Sequence, residues 1–497
     1  MSEHGRLLDG ARVAVAGLGA SGRAALEVLA TVSGARELIG YDASEAAIES
    51  ARSSGEVPPG VRWHAEADGA QLAARIVAEA PDVLVVSPGF PATGPLHQRA
   101  AAAGLEVWSE IELAWRVQAR RADGSRAPWL TLTGTNGKTT TVQMLSSILT
   151  AAGERAPAVG NVGDPVVRVS ASGAIDVLAV ELSSFQLHAT HTVAAQASAC
   201  LNLADDHLDW HGGFGEYRAA KARVYERTTS ACIYNADAPV TREMVEQADV
   251  AEGCRAVGTT LAVPQVGQLG LAGEVLCDRA FGAPLRERQR GAVELAEVAD
   301  LAHLAPGAAR TAPDHVLANA LSAAALARAH GVPAEAVSAG LRAMQPGAHR
   351  IATVATVAGV TYVDDTKATN AHAAAASLGA LPDGSVVWVA GGLAKGAQFD
   401  DLVGAYRHKL RAVVLIGLDR APLRDALARH AADVPVVEIE ASQDEVMAQA
   451  VTRAARFAQQ GDTVLLAPAS ASMDQFRNYA ARGEAFAAAV RARQEAQ

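Results

Sequence analysis

Thr131-Leu-Thr-Gly-Thr-Asn-Gly-Lys-Thr-Thr140 is the stretch from which the rest of the chain can be read. The apolar lead-in from Pro128 to Leu132 predicts a short buried strand. The run from Thr141 to Ala152 predicts an amphipathic helix. A strand that feeds a glycine loop opening a helix is a phosphate cradle. Gly134 and Gly137 let the backbone curl so that N–H groups point at an anion, and the helix N-terminus adds partial positive charge. Lys138 is placed to reach the β- and γ-phosphates, and the Thr139 hydroxyl to ligate Mg²⁺. The spacing departs from the usual phosphate loop: Leu132 occupies the slot of the first glycine, and the glycine comes at 134.

At 497 residues the chain is too long for one core, so several domains are expected. Half its residues are hydrophobic and a fifth are charged, a globular α/β composition. A net charge of -11 and only 4% aromatic residues argue against a general nucleic-acid binder. Cys200, Cys232, Cys254 and Cys277 are scattered without metal-ligand spacing and read as thiols of a reducing compartment. No apolar run of signal-peptide or membrane-spanning length is present, so a cytoplasmic location is expected.

N-terminal to the phosphate loop, Arg12 to Ala16 reads as a strand, followed by Gly17-Leu-Gly-Ala-Ser-Gly22, a helix, and a second strand ending at Asp42. This is a dinucleotide fingerprint, with an acid about 20 residues after the last glycine. Its physics describes a pyrophosphate at a helix N-terminus and a carboxylate near a ribose or base. NAD and a UDP-sugar both offer those groups, and glycines used only for tight packing give the same pattern. Val83 to Val86 is a further strand, with Ser87-Pro-Gly89 at its C-terminal end. Leu105 to Trp108 is another. The polar, turn-rich run from Arg116 to Pro128 carries the first boundary.

C-terminal to the loop, Asn161-Val-Gly163 follows a short strand, and Val177 to Val180 runs into Glu181-Leu-Ser-Ser-Phe-Gln186. A carboxylate at a strand end beside a phosphate loop suits Mg²⁺. His207 stands among carboxylates in Asp205-Asp-His-Leu-Asp209. Lys221 lies on a predicted helix from Phe214 to Glu226, where local sequence gives it no more than a surface charge. The region between about 250 and 312 predicts a few strands and loops without assignable chemistry. A long helix opens at Ala312-Pro-Asp-His315 and carries Asn319. The second boundary falls near 345, ahead of Pro346-Gly-Ala-His-Arg350. Three strand ends then deliver polar loops: Asp364-Asp-Thr-Lys-Ala-Thr-Asn370, Gly391-Gly-Leu-Ala-Lys395 and Ala467-Pro-Ala-Ser-Ala-Ser-Met-Asp-Gln-Phe476.

Together these loops resemble the Mur ligase superfamily, the ATP-dependent amino-acid ligases of peptidoglycan precursor synthesis. The resemblance extends over essentially the whole chain. Asp364 to Asn370, Ser472-Met-Asp-Gln-Phe-Arg-Asn-Tyr479 and Arg482-Gly483 resemble the branch that adds D-glutamate to UDP-N-acetylmuramoyl-L-alanine. The resemblance implies an α/β fold of three domains. These are an N-terminal Rossmann-like UDP-binding domain (1–124), a central P-loop ATPase (125–345) and a C-terminal Rossmann-like domain (346–497). Leu18, Ala20, Ser21, Asp42 and Gly89 would then hold UDP, not NAD, with Asn161 on the muramoyl-peptide. Gly134, Thr135, Asn136, Gly137, Lys138, Thr139 and Thr140 would hold ATP, joined by Asn319, Arg350 and Asp365. Glu181 and His207 would join Thr139 on Mg²⁺, and Lys221 resembles the family lysine that is carbamylated by CO₂. Lys367, Thr369, Lys395, Ser472 and Tyr479 would bind D-glutamate. Ala43 and Ser44 depart from the polar or charged residue that relatives carry after the acid, and Val316 stands where they often have Asn. The resemblance assigns no oligomeric state and is compatible with a monomer.

Three rivals differ in what they leave unexplained. The first is a related ligase with another amino-acid or folate substrate, of which the folate-polyglutamate ligases lack a first domain of this kind. An NAD oxidoreductase gives residues 134–139 no role. A non-catalytic nucleotide-binding regulator has no use for the acceptor-site residues.

Overall fold

The computed structural model describes residues 8–32, 34–282, 284–304, 312–345, 347, 349–440 and 445–495. Pro346 and Ala348 of the expected loop motif fall outside them, as does the side chain of Asp209. The described residues form three α/β sheets in two compact units, Met1–Ala296 with Ala318–Ala343, and Glu297–Leu317 with Met344–Gln497.

The first sheet holds β1 (Arg12–Ala16), β2 (Glu37–Asp42), β3 (Arg62–Ala65), β4 (Val83–Val86) and β5 (Val107–Ser109). They run parallel in the order β3-β2-β1-β4-β5. The chain leaves β1 toward β2 on one side and returns to β4 on the other. The strand ends of β1 and β4 therefore flank a switch point, where open parallel sheets bind ligands. The fifth strand starts two residues after Leu105 and ends one residue after Trp108, and Ser109 caps the next helix by accepting from the Glu112 N–H.

The second sheet, in the same unit, has nine strands: β6 (Trp129–Thr133), β7 (Ala158–Gly160), β8 (Leu178–Glu181), β9 (Ala197–Cys200), β10 (Ala231–Asn235), β11 (Arg255–Thr259), β12 (Gln268–Ala272), β13 (Val275–Asp278) and β14 (Val293–Glu297). Their order is β14-β13-β12-β11-β10-β9-β6-β8-β7. β6 is central and buried on both faces, so its residues read as a nearly continuous apolar run. Leu130 and Leu132 are fully buried, each stabilising the fold by about 1.5–3 kcal/mol. Its two threonines are satisfied internally: Thr131 donates to Ser198 Oγ and Thr133 to the Leu182 carbonyl. The strands β11 to β14 fill the region whose sequence predicted only short strands and loops.

The third sheet forms the second unit: β15 (Ala352–Val357), β16 (Val360–Asp364), β17 (Val386–Gly391), β18 (Leu410–Ile416), β19 (Val436–Glu438) and β20 (Thr463–Leu466). The order is β15-β16-β20-β17-β18-β19, antiparallel only at β15–β16. The loops after β16, β17 and β20 thus leave three adjacent strands at one end. No helix among the described residues is long and apolar enough to cross a membrane.

Candidate active site

The phosphate loop joins β6 to the helix Lys138–Ala151, which starts three residues earlier than its apolar periodicity suggested. Gly137 explains the early start. At φ +80° it is a left-handed N-cap, so the helix begins with the lysine itself. A Cβ on Gly137 would come within 2.4 Å of Asn319 Oδ1, so Asn319 is pressed against the loop. Lys138 Nζ folds back onto the Gly134 and Thr135 carbonyls at 2.9 and 2.8 Å. The loop is braced from β9: Thr135 N–H donates to the Asn202 carbonyl and Asn136 N–H to Asn202 Oδ1. Asn202 escaped sequence reasoning, although it follows directly on a strand next to the phosphate-loop strand.

Thr139 Oγ1 donates to Glu181 Oε2 at 2.8 Å, and Asn161 Nδ2 to Glu181 Oε1 at 3.0 Å. β8 is hydrogen-bonded to β6, which is why a strand-end carboxylate meets the first helical turn. Glu181 is buried. Two hard oxygen donors beside a phosphate cradle fit Mg²⁺, which takes one or two protein oxygens and completes its shell with substrate phosphates and water. His207 does not join this pair. Its ring packs edge-on against Phe185 at 4.8 Å and faces Asp206 at 3.6 Å. Among the described residues no three His, Cys, Asp or Glu side chains are gathered to hold a metal.

Lys221 is 2% exposed, so it is not the surface charge its helix suggested. Its Nζ donates to the Gly134 carbonyl at 2.8 Å and to Thr133 Oγ1 at 3.3 Å, and lies 4.8 Å from the Tyr217 ring centre. Burial, with the Lys138 ammonium nearby, brings its pKa down to about 7. The amine therefore has a large neutral, nucleophilic fraction at physiological pH.

The first glycine loop is tight in the same sense. Gly17 has φ +88°, and a Cβ there would strike Ser87 Oγ; one on Gly22 would strike the Gly17 carbonyl. Asp42 accepts from the Leu18 N–H at 2.7 Å and the Ser44 N–H at 2.9 Å, so its carboxylate organises the loop. Leu18 is buried, Ser21 is half-buried, and Ala20 and Gly89 are exposed at the rim. Ser21 and Ser87 share a narrow slot with Glu110, Phe185 and Gln186. Glu110 opens the helix that Ser109 caps. In the fold it is fully buried, with Oε1 on the Val167 N–H at 2.6 Å and Oε2 unpartnered. Burial raises it to about 7.

Within the second unit, Lys367 Nζ sits 3.8 Å from the Tyr479 ring centre. The loop carrying Ser472 is tied to the loop carrying Lys395 by a bridge between Ala471 and Leu393. Ser472 is buried and Lys395 has φ +51°. Thr369 is half-buried, its N–H on the Lys367 carbonyl. Asp365 turns inward to the Ser377 hydroxyl and the Ile351 N–H, and burial raises it to about 7. Arg350 contributes a counter-charge to it. Arg482 is 1% exposed and reaches into these loops, a position that sequence did not assign.

The Mur ligase middle domain matches residues 132–264, and the Mur ligase glutamate ligase domain matches residues 349–470. A UDP-N-acetylmuramoylalanine–D-glutamate ligase of Streptomyces avermitilis is 53% identical over 97% of this chain and 98% of its own length. A ligase of the same name from Thermobifida fusca is 54% identical over 83% of this chain and 85% of its own. Among solved structures, the UDP-N-acetylmuramate-alanine ligase of Thermotoga maritima aligns with a TM-score of 0.55 at 15% identity, covering 98% of this chain and all of that one.

Proposed function

The chain belongs to the Mur ligase family, and from that premise we propose that it joins D-glutamate to UDP-N-acetylmuramoyl-L-alanine at the expense of ATP, in peptidoglycan precursor synthesis. The observation that carries the chemistry is the Thr139–Glu181 pair at the mouth of the phosphate loop. The identity to D-glutamate ligases over nearly the full length supports the substrates.

A carboxylate is a poor acyl donor. The γ-phosphoryl group of ATP passes to the L-alanyl carboxylate, giving an acyl phosphate and ADP. The amine of D-glutamate attacks that carbonyl, a tetrahedral oxyanion forms, and phosphate leaves. Each step places negative charge where cations and N–H donors are needed. The loop from Gly134 to Thr140 binds the ATP phosphates, with Lys138 swinging from its carbonyls onto them. Thr139 and Glu181 would hold Mg²⁺, which would neutralise charge on the phosphates. Asn161 orients the acyl substrate beside Glu181, and His207, which packs against Phe185 outside the Thr139–Glu181 pair, would have to turn to become a further ligand. Lys221 adds CO₂ at its neutral amine, losing a proton to give a carbamate. This turns a buried cation into an anion suited to metal binding. Leu18, Ala20, Ser21, Asp42 and Gly89 bind the UDP end, and Lys367, Thr369, Lys395, Ser472 and Tyr479 bind D-glutamate. The enzyme's three domains run over 1–124, 125–345 and 346–497, and it works in the cytoplasm, where ATP is at hand.

The test is phosphate release from ATP and Mg²⁺ with UDP-N-acetylmuramoyl-L-alanine across D- and L-amino acids. Release that depends on D-glutamate is expected. Release with another amino acid would keep the ligase and overturn the acceptor, and no release with any acceptor would overturn both.

A further inference from the structure

Arg482-Gly483 belongs to the sequence signature, yet the reaction above gives it no task. The pair sits in the first turn of the helix Tyr479–Glu495. Glycine is required at 483 because a Cβ there would lie 2.6 Å from Asp364 Oδ2 and 2.3 Å from His349 Nδ1. That close approach brings the helix down onto the end of β16, where Asp364 Oδ2 lies 2.6 Å from His349 Nδ1.

The Arg482 guanidinium then reaches the three strand-end loops. Nε donates to Thr366 Oγ1 at 2.9 Å, and Nη2 donates to the Thr366 carbonyl at 3.0 Å and the Ser470 carbonyl at 3.1 Å. Nη1 lies 3.2 Å from where a Cβ on Gly392 would be, and it is buried without a hydrogen-bond partner. Arg482 thus bonds the loop of Lys367 and Thr369 and the loop of Ser472, and approaches the loop of Lys395 without a bond. The hydrogen bonds of Arg482 go to two carbonyls and a hydroxyl, not to a carboxylate. Asp364 and Asp474 favour its charge only from further off. A buried guanidinium without a bonded counter-ion is costly, and an anion arriving nearby lowers that cost.

We propose that Arg482 is a positioning residue for the amino-acid acceptor, holding the Thr366 and Ser470 loops in register and keeping the acceptor site cationic, so that the site takes a dicarboxylate. This rests on D-glutamate binding at these loops. A structural pin alone would not need the third loop, nor leave an N–H unpaired beside it.

The test uses the full-length protein with Arg482→Met and Arg482→Lys, measuring KM for D-glutamate, KM for the other two substrates, kcat and thermal unfolding. Arg482→Met is expected to raise the D-glutamate KM about tenfold or more, the other KM values staying within about twofold. Arg482→Lys should recover part of the loss, because it restores charge without the fork. Equal rises in all three KM values, or a lysine variant no better than methionine, would overturn the proposal. Thr366→Val serves if the Arg482 variants do not fold. It removes the Nε acceptor, together with the hydroxyl's own bond to the Tyr479 carbonyl, and leaves the guanidinium in place; it should raise the D-glutamate KM in a protein with normal melting, and an unchanged KM overturns the idea. The wild-type control separates the two levels: a wild-type enzyme that uses another amino acid refutes the acceptor assignment, and the same KM comparison run with that amino acid then decides the role of Arg482.

Discussion

Across 42 residues of sequence, the Thr139 hydroxyl donates to Glu181 Oε2 at 2.8 Å, joining the first turn of the phosphate-loop helix to the end of the neighbouring strand. A hydrogen bond to a charged acceptor contributes about 1.5–3 kcal/mol. Removing the hydroxyl also leaves a buried carboxylate with one donor fewer. Thr139→Ala should therefore lower kcat about tenfold or more and raise the Mg²⁺ concentration for half-maximal activity. Thr139→Ser should retain most of both. A Mg²⁺ titration of phosphate release checks this, and an unchanged midpoint in the alanine variant would remove the pair from metal binding.

Gly137 and Asn319 make a second coupled pair. Alanine at 137 carries the cost of a left-handed backbone, about 1–2 kcal/mol, and its Cβ meets Asn319 Oδ1 at 2.4 Å. Gly137→Ala should weaken ATP binding and lower the melting temperature. Adding Asn319→Ala removes the collision but not the backbone cost, so the double variant should regain part of the stability. Calorimetric ATP affinity and melting of the three variants measure the coupling. Strict additivity would mean the two residues act independently.

The phosphate loop was legible because strand, glycine turn and helix are consecutive in sequence, and each has a local cause. The glycine loop after β1 was legible for the same reason, though its ligand was not, since the same backbone curls around any pyrophosphate. What stayed hidden was burial set by distant elements. Lys221 looked like a helical surface charge, but its helix packs over the phosphate loop and takes the amine to the Gly134 carbonyl. Arg482 likewise points to the end of β16, 116 residues away in sequence, and to the loop after β20. β3 was missed because none of its residues is fully buried, and an edge strand of that kind carries little apolar signal. Asp365 was correctly placed at a strand end, but whether its carboxyl faces outward depends on Ser377 in the following helix.

Burial of Lys221 yields a prediction about CO₂. A neutral amine fraction at physiological pH is the reactive form toward CO₂. Enzyme prepared in CO₂-depleted buffer should lose activity and regain it on adding bicarbonate. Lys221→Arg should be inactive under both conditions, since guanidinium does not form the carbamate. Wild-type activity indifferent to bicarbonate would assign Lys221 a role as a buried amine only.

Glu110 makes the stability of the fold depend on pH in a direction that can be worked out. Its carboxyl is raised from the ordinary 4.5 to about 7 by burial, and its Oε2 has no partner. Between those two values the folded state holds a proton that the unfolded state has released. Stability from this group is thus complete below about 4.5 and is lost as pH rises through about 7. Glu110→Gln keeps a donor at that position and removes the ionisation. The melting temperature of the wild type relative to Glu110→Gln should then fall steadily across that interval and level off above it. Other groups shift the two curves alike, Lys221 in the opposite sense, so the difference isolates Glu110. Because Glu110 lines the same slot as Ser21 and Ser87, its ionisation would also put a negative charge beside the loop assigned to UDP. Affinity for the UDP substrate should fall above about pH 7 in the wild type and not in the glutamine variant. A melting difference that is flat with pH would mean that the Glu110 carboxyl is already ionised in the native protein.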